Sequence, residues 1–191
     1  MSYRVVIPAR FGSERLPGKP LVDIHGKPMI VRVAEAVAAS SAAEIVVATD
    51  DERIFQAVND AGYQAQLTRT DHQSGSDRVM EVVTALGWPR DAIVLNVQGD
   101  EPLIPAAVLE QLVEALQKEA ELGSATLCEP LTTLADLENP NIVKVVRSRQ
   151  GRALYFSRAP IPFDRSSSAQ GERLAPGWWR HVGVYGYRVW A

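Results

Sequence analysis

Apolar runs that suit β-strands alternate with segments of helical periodicity through residues 3–118. Short turn-forming stretches separate each strand-like run from the helical segment that follows it. Such an alternation with short connections favours a parallel sheet whose two faces are covered by helices. The predicted strands are 3–8, 44–48, 63–67 and 92–97, and the predicted helices are 28–39, 50–61, 74–86 and 105–118. The sequence therefore predicts an α/β fold of three layers, α/β/α, with a mostly parallel sheet.

Local signals indicate where several of these elements begin and end. Thr49 or Asp50 is suited to cap the second helix, and Gly62 follows its end. Side-chain oxygens of Thr and Asp accept hydrogen bonds from the free N–H groups at a helix start, and glycine commonly ends a helix. The run 92–97 is the most hydrophobic of the strands, so we expect it inside the sheet.

The pattern changes after residue 123, where short strand-like runs replace the alternation. These runs cover 124–129, 141–147, 153–157 and 181–189, and a polar loop is predicted over 165–171. We interpret 124–180 as a β-rich elaboration of a single domain, 1–191, whose α/β part is 1–123. The final residues 187–191 are strand-like and apolar, so the natural chain is expected to continue beyond Ala191.

Composition argues against several classes of protein. The net charge of -3 gives no broad basic surface, which argues against a nucleic acid partner. Cys128 is the only cysteine, so neither an internal disulfide nor a cysteine-based metal site is predicted. The sequence has no apolar run of membrane-spanning length and no secretory leader pattern at its start. These features predict a cytoplasmic protein without a membrane partner.

The loop after the first strand concentrates positive charge. Arg10, Arg15 and Lys19 lie within residues 9–20, where Glu14 is the only acid and two glycines and two prolines shape the backbone. A cationic loop at the carboxyl end of a parallel strand is typical of a site for a polyanion such as a triphosphate, although a solvated basic loop is the alternative. Its spacing matches neither the P-loop nor the dinucleotide fingerprint, so NAD is not indicated.

Asp100 follows the most hydrophobic strand and is the candidate metal ligand. A carboxylate in this position can reach a ligand over the edge of the sheet. A bound triphosphate needs Mg²⁺ to neutralise its charge, and proteins hold Mg²⁺ with one or two carboxylates. The alternative is a turn residue, because the sequence Gly-Asp-Glu-Pro at 99–102 also favours a turn.

Other residues are candidates for ligand binding. Gly75 and Ser76 begin a predicted helix, where N–H groups and a hydroxyl suit a base edge or a phosphate; an ordinary helix cap is the alternative. Arg158 ends a predicted strand and suits a bidentate grip on a carboxylate, with a surface arginine as the alternative. His72 and His181 have no cysteine or carboxylate at metal-binding spacing nearby, so zinc is not predicted.

Short segments throughout the chain match the motifs of one known family. They are 7–10 (IPAR), 15–21 (RLPGKPL), 48–50 (ATD), 71–75 (DHQSG), 96–102 (NVQGDEP), 154–158 (LYFSR) and 181–187 (HVGVYGY). The chain thus resembles 3-deoxy-manno-octulosonate (Kdo) cytidylyltransferase, the CMP-Kdo synthetase of lipopolysaccharide biosynthesis. The match covers nearly the whole chain and keeps the order of the motifs. The first loop is shared with other sugar nucleotidyltransferases, whereas the set from residue 71 onward is more specific.

The resemblance implies a nucleotide-diphospho-sugar transferase-like fold and the conversion of CTP and Kdo to CMP-Kdo and pyrophosphate. It assigns the triphosphate to Arg10, Arg15 and Lys19, the cytosine to Ser74 and Gly75 with neighbouring backbone, and Kdo to Gln98, Arg158, His181 and Tyr185. Ser13 and Ser76 are further implied nucleotide-binding residues. Arg10, Lys19 and Asp100 are the implied catalytic residues. Lys19 would stabilise charge at the α-phosphate, and Asp100 would bind Mg²⁺. The family dimerises through its late β-rich segment, which implies a homodimer here.

One family feature is missing from these 191 residues. Family members continue to a closing Val-Asp-Thr-Pro segment whose Asp is a second metal ligand, so a chain that ended at Ala191 is expected to bind nucleotide with impaired catalysis. The alternative sugars are the 8-amino relative of Kdo and, more distantly, an acylneuraminate, against which residues 72–75 and 154–158 argue. The residues do not distinguish a hydroxyl group from an amine at C8.

Overall fold

The computed structural model describes residues 2–12, 16–163, 165, 169–170, 173–174 and 176–191. The chain divides into two compact units, the first formed by Met1–Ala125 with Val184–Ala191 and the second by Thr126–Gly183. Within the described ranges, no helix combines the length and the apolar character that crossing a lipid bilayer requires.

Strands and helices alternate through the first unit, and short strands dominate the second. The strands are β1 (Tyr3–Ala9), β2 (Asp23–Ile24), β3 (Lys27–Pro28), β4 (Glu44–Thr49), β5 (Gln64–Leu67), β6 (Ile93–Asn96), β7 (Ser124–Pro130), β8 (Lys144–Arg147), β9 (Ala153–Ser157), β10 (Ala169–Gln170), β11 (Arg173–Leu174) and β12 (Trp179–Arg188). The helices are α1 (Met29–Ala38), α2 (Glu52–Asp60), α3 (Gly75–Ala85), α4 (Ala106–Lys118) and α5 (Leu134–Glu138). One turn of 3₁₀ helix covers Lys19–Leu21.

A mostly parallel sheet organises the first unit. Its strand order is β5–β4–β1–β6, followed by the end of β12. All of these strands are parallel except β12, which runs antiparallel to β6 with Tyr185 opposite Asn96. The carboxyl ends of β1 and β6 therefore lie side by side at one edge of the sheet. The predicted interior position of the 92–97 strand is confirmed.

Helices cover both faces of this sheet. Alternate residues of a strand point to opposite faces. On one face, Val6, Val46 and Val94 pack in a buried cluster with Val79 and Val82 of α3. On the other face, Gly186 of β12 lies against Leu95 of β6 and against Leu112 and Leu116 of α4. Burial on both sides explains why β1 reads as a continuous apolar run, and it confirms the predicted three-layer α/β fold.

The second unit is built on antiparallel pairs. β8 pairs with β9, with Lys144 opposite Ser157, and the start of β12 pairs with β8, with Arg180 opposite Lys144. Leu131, Leu137 and Trp178 form its buried cluster. The predicted loop over 165–171 falls partly outside the described residues, but Ala169–Gln170 pairs antiparallel with Arg173–Leu174.

One predicted helix cap was wrong, and two short elements were not predicted. The cap of α2 is Asp51, whose carboxylate accepts a hydrogen bond from the N–H group of Arg53 at 3.0 Å, rather than Thr49 or Asp50. Residues 22–28 contain the small hairpin of β2 and β3, which was not among the predicted strands. Helix α5 was missed because its five residues are too few to show helical periodicity.

Candidate active site

A cleft of about 190 Å³ opens at the carboxyl ends of β1 and β6, where the sequence predicts ligand binding. Its walls come from the end of β1, the first loop, the start of α1 and the segment after β6. The lining residues are Pro8, Ala9, Arg10, Lys19, Pro20, Met29, Gln98, Gly99 and Asp100. Four residues predicted for the site, Arg10, Lys19, Gln98 and Asp100, are thus brought together.

The backbone of the first loop turns back to present Lys19. Gly18 has a φ of 73°, a left-handed conformation that glycine adopts without strain, and its N–H group donates to the carbonyl of Phe11 at 2.9 Å. A side chain at this position would lie only 3.1 Å from the Phe11 ring. Lys19 follows at the start of the 3₁₀ turn and points toward the segment after β6.

Lys19 and Asp100 form an ion pair in the cleft. The Lys19 Nζ lies 2.5 Å from Asp100 Oδ2, and the two side chains are 38% and 48% exposed. Exposed ion pairs contribute little to stability, since water screens both charges. The pair therefore costs little to open, and both groups can be redirected to a ligand.

Ser13 and Arg15, which the resemblance assigns to nucleotide binding, lie outside the described residues. Their assignment stays a prediction. Gln98 stands two residues before Asp100, and its amide nitrogen lies 3.5 Å from the buried Asn96 Oδ1.

Gly99 allows the segment after β6 to approach the end of β1. A Cβ atom at Gly99 would lie 2.9 Å from the carbonyl oxygen of Pro8, a backbone atom that cannot move aside independently. Because Arg10 and Asp100 are close to these two residues in the chain, the close approach sets the width of the cleft. Any side chain at position 99 would force the walls apart.

We expect Gly99→Ala to lower both stability and activity. Overpacking against backbone costs about 1–3 kcal/mol, and displacement of Asp100 from Lys19 should reduce turnover. Urea unfolding and initial-rate assays measure the two effects. Gly183→Ala is the matched control, because no atom lies within 4 Å of the Cβ position there. Equal behaviour of the two variants would contradict this prediction.

The N-terminus of α3 is held by a capping box. Ser74 Oγ and N both donate to Asp77 Oδ2, at 2.8 and 2.9 Å, and the Asp77 N–H group donates to Ser74 Oγ at 3.2 Å. Hydrogen bonds from Ser74 hold the pKa of Asp77 below its usual value, and the charges of His72 and Arg10 lower it further. Ser74 is thus a helix cap, the alternative left open for this helix start. The predicted contact of Ser74 with a base stays a prediction.

Gly75 and Ser76 lie beside other parts of the first unit. A methyl group at Gly75 would lie 3.5 Å from Pro8 Cγ, so the start of α3 packs against the end of β1. Ser76 Oγ lies 3.4 Å from the hydroxyl of Tyr187. Tyr187 stacks at 6.1 Å on Tyr185, whose pKa is raised by burial and by Tyr187. Tyr185 is therefore a neutral hydrogen-bonding group at physiological pH.

Arg78 of α3 is a fully buried cation that the sequence did not reveal. Its guanidinium donates to Asp50 Oδ2 at 2.7 Å and also to the hydroxyl of Thr68. Asp50 follows β4 and Thr68 follows β5, so this one side chain ties α3 to the ends of two strands. The His72 ring and Glu81 add a second link between α3 and the segment that precedes it.

The other two predicted sugar residues belong to the second unit. Arg158 donates from Nη1 to the carbonyl oxygen of Pro140 at 2.9 Å, and the rest of its side chain is exposed. His181 Nε2 lies 2.9 Å from Thr126 Oγ1, and the edge of its ring contacts the Phe156 ring with centroids 4.9 Å apart. Burial lowers the pKa of His181, which favours the neutral imidazole.

His181 should make folding stability depend on pH. Its folded-state pKa lies below that of the unfolded chain, so the unfolded state binds more protons below about pH 6.5. Stability from this group is therefore full above that pH and is lost as the pH falls toward the folded-state value. We expect the urea midpoint to drop between about pH 7.5 and 5.5, and His181→Asn to reduce the drop. An unchanged pH dependence in the variant would contradict this.

The described residues contain no cluster of three or more His, Cys, Asp or Glu side chains able to enclose a metal ion. Asp100 nevertheless fits a hard cation as a single ligand, because its half-exposed carboxylate faces the cleft. Mg²⁺ commonly takes one or two protein carboxylates and completes its shell with phosphate oxygens and water.

Comparisons with known proteins identify the family of this chain. The family model described as Cytidylyltransferase matches residues 4–190. The 3-deoxy-manno-octulosonate cytidylyltransferase of Alcanivorax borkumensis is 51% identical over 99% of this chain and 76% of its own length. The protein of the same name from Sodalis glossinidius is 52% identical over 99% of this chain and 75% of its own length.

Solved structures similar to this chain are also cytidylyltransferases. A structure of CMP:2-keto-3-deoxy-manno-octonic acid synthetase complexed with CTP has a TM-score of 0.89 and 44% identity, and the match covers 99% of this chain and 75% of that one. A cytidylyltransferase from Leptospira borgpetersenii, 22% identical with a TM-score of 0.56 over 77% of this chain and 57% of its own, shares the fold. The resemblance found in the sequence is confirmed, and the chain belongs to the 3-deoxy-manno-octulosonate cytidylyltransferase family.

Proposed function

We propose that the protein transfers the cytidylyl group of CTP to Kdo, giving CMP-Kdo and pyrophosphate. The observation that carries this proposal is the Lys19–Asp100 pair in a cleft at the sheet edge, in a chain whose relatives carry this enzyme's name. A cation and a carboxylate at one edge supply what a metal-bound triphosphate requires. The anomeric hydroxyl oxygen of Kdo bonds to the α-phosphorus, the bond from that phosphorus to the β-phosphate bridge breaks, and the hydroxyl proton is released.

The residues of the first unit act on the nucleotide. Arg10 and Lys19 bind phosphate oxygens, and Lys19 neutralises the negative charge that grows at the α-phosphate as the new bond forms. Asp100 would hold Mg²⁺, which supplies charge neutralisation to the triphosphate. Ser13, Arg15 and the start of α3 complete the nucleotide site. Holding the two reactants in line provides the remaining acceleration.

The sugar is bound by four side chains in this proposal. Gln98, the neutral Tyr185 and the neutral His181 are the side chains proposed to hydrogen-bond its hydroxyl groups. Arg158 binds the carboxylate, since among the described residues its guanidinium donates only to the Pro140 carbonyl, and a guanidinium has five N–H donors. The names of the relatives favour Kdo over its 8-amino relative.

We further propose that the protein is a homodimer. On β9, Leu154, Tyr155 and Phe156 are 65%, 62% and 42% exposed, and Phe163 beyond it is 89% exposed. Contiguous exposed apolar side chains commonly mark an interface. Light scattering should therefore give about twice the mass of one chain, and Tyr155→Glu should reduce it to one. A single-chain mass for the unaltered protein would contradict this.

The product would serve as the Kdo donor for lipopolysaccharide biosynthesis. Sequence features predict a cytoplasmic location, and we propose that the reaction takes place there.

Pyrophosphate release tests the proposed reaction. The protein is assayed with CTP and Mg²⁺ against Kdo, 8-amino-Kdo and N-acetylneuraminate in parallel. Release with Kdo alone, lost in Asp100→Asn, supports both the reaction and the metal ligand. Preference for 8-amino-Kdo or N-acetylneuraminate would overturn the assignment of Kdo as the sugar substrate. CTP binding without pyrophosphate release would instead indicate a nucleotide-binding protein with impaired catalysis.

A further inference from the structure

Lys144 is a buried lysine that the proposed mechanism leaves unused. It is the first residue of β8, and none of its surface is exposed. Its ammonium group donates to three backbone carbonyl oxygens: Asn139 at 2.9 Å, Ile142 at 2.9 Å and Arg158 at 2.6 Å. An ammonium group has three donors, so all of them are satisfied by the backbone.

These contacts fix Arg158 at both ends. Lys144 holds the Arg158 carbonyl oxygen directly. Lys144 also donates to the carbonyl oxygens of Asn139 and Ile142. These two residues flank Pro140, whose carbonyl oxygen accepts a hydrogen bond from the Arg158 guanidinium. The pairing of Lys144 with Ser157 across β8 and β9 places the lysine next to the strand that Arg158 follows.

The two cations also share an electrostatic environment. Burial lowers the pKa of Lys144, and the positive charge of Arg158 lowers it further. Across the described ranges, neither side chain forms an ion pair with an acid. An anionic ligand at Arg158 therefore gains from both positive charges, and the repulsion between them is relieved when it binds.

We propose that Lys144 is a positioning residue for the acidic sugar: its buried ammonium group fixes the backbone of Arg158 and the turn that receives its side chain, and so aims the guanidinium at the sugar carboxylate. The inference rests on the proposed function, in which Arg158 binds that carboxylate. A lysine that only stabilised the fold would affect both substrates alike, whereas a positioning residue should affect the sugar selectively.

The test compares KM for Kdo with KM for CTP. Lys144→Gln keeps two N–H donors without the charge, and Lys144→Met removes donors and charge together. We expect KM for Kdo to rise about ten- to a hundredfold, with a larger rise in Lys144→Met than in Lys144→Gln. KM for CTP should stay within about twofold of the value for the unaltered protein. Arg149→Met is the control, since it removes an exposed positive charge just beyond the same strand. It should leave both values unchanged.

Arg158→Gln separates this inference from the proposed function. If the unaltered protein releases no pyrophosphate with Kdo, the proposed function fails and the role of Lys144 fails with it. If release occurs but Arg158→Gln leaves KM for Kdo unchanged, the assignment of Arg158 to the carboxylate is overturned, and with it the role of Lys144. If Arg158→Gln raises KM for Kdo and Lys144→Gln does not, only the positioning role is overturned. The inference is supported if the double variant, Lys144→Gln with Arg158→Gln, has the same KM for Kdo as Arg158→Gln alone. If neither Lys144 variant folds by circular dichroism, the lysine is a folding residue and the inference is overturned.

Discussion

Lys19→Met should lower kcat by about 10²–10³-fold while the protein stays folded. The Lys19 ammonium is the described cation nearest to Asp100, at 2.5 Å, and it lines the cleft with Arg10. Negative charge grows on the α-phosphate oxygens as the new bond forms, and a fixed cation stabilises that charge more in the transition state than in the ground state. Methionine keeps the length of the side chain and removes the charge. Initial rates of pyrophosphate release at saturating substrates measure the effect.

Lys27→Met is the matched control for this experiment. Lys27 is also a half-exposed lysine in an ion pair, with Glu35 of α1, but it does not line the cleft. Its replacement should leave kcat within about twofold, since exposed ion pairs contribute little. A similar loss in both variants would mean that surface charge in general, rather than the position of Lys19, supports activity.

Asp50→Ala should destabilise the fold by about 3–5 kcal/mol, which is a large part of the stability of a typical domain. The substitution leaves the fully buried Arg78 guanidinium without the carboxylate that it contacts at 2.7 Å. Water cannot replace the lost partner where the guanidinium is buried, so the cost of burying the charge is no longer offset. The midpoint of urea unfolding, followed by circular dichroism, reports the change.

The neighbouring Arg69–Asp71 pair provides the comparison. Its contact of 2.6 Å is as short as that of Arg78 with Asp50, but its side chains are 69% and 64% exposed. Asp71→Ala should therefore leave the urea midpoint almost unchanged, because water solvates the remaining Arg69. If Asp50→Ala proved as mild as Asp71→Ala, burial of Arg78 could not be the reason for the strength of its pair.

The main features of the fold and the cleft follow from local patterns. Alternating strands and helices with short connections require a parallel sheet, and the carboxyl ends of neighbouring parallel strands meet at one edge. The amino-acid sequence alone therefore leads one to expect that Lys19, after β1, and Asp100, after β6, lie near each other. Their pairing also depends on strand order, because β6 lies next to β1 although β4 and β5 come between them in the chain. Local patterns do not specify that order.

Features that depend on tertiary contacts could not be predicted in this way. The sequences around Arg78 and Lys144 do not show which way the side chains face. Because charged side chains are normally exposed, the burial of these two residues could not be expected. Asp50 was a reasonable helix cap, but its carboxylate is taken by Arg78, which leaves Asp51 to cap α2. The capping partner Asp77 could have been found, since it stands three residues after Ser74.

The pairing of Lys19 with Asp100 has a consequence for how a nucleotide enters the cleft. The two charges neutralise each other before any ligand arrives. A triphosphate that binds Lys19 breaks this ion pair, and the Asp100 carboxylate is then left without a positive partner beside the negatively charged ligand. Asp100 would remove this repulsion by holding a divalent cation, which would supply the balancing positive charge. Nucleotide and cation should therefore bind cooperatively, each strengthening the affinity of the other, and the cleft should favour neither one alone.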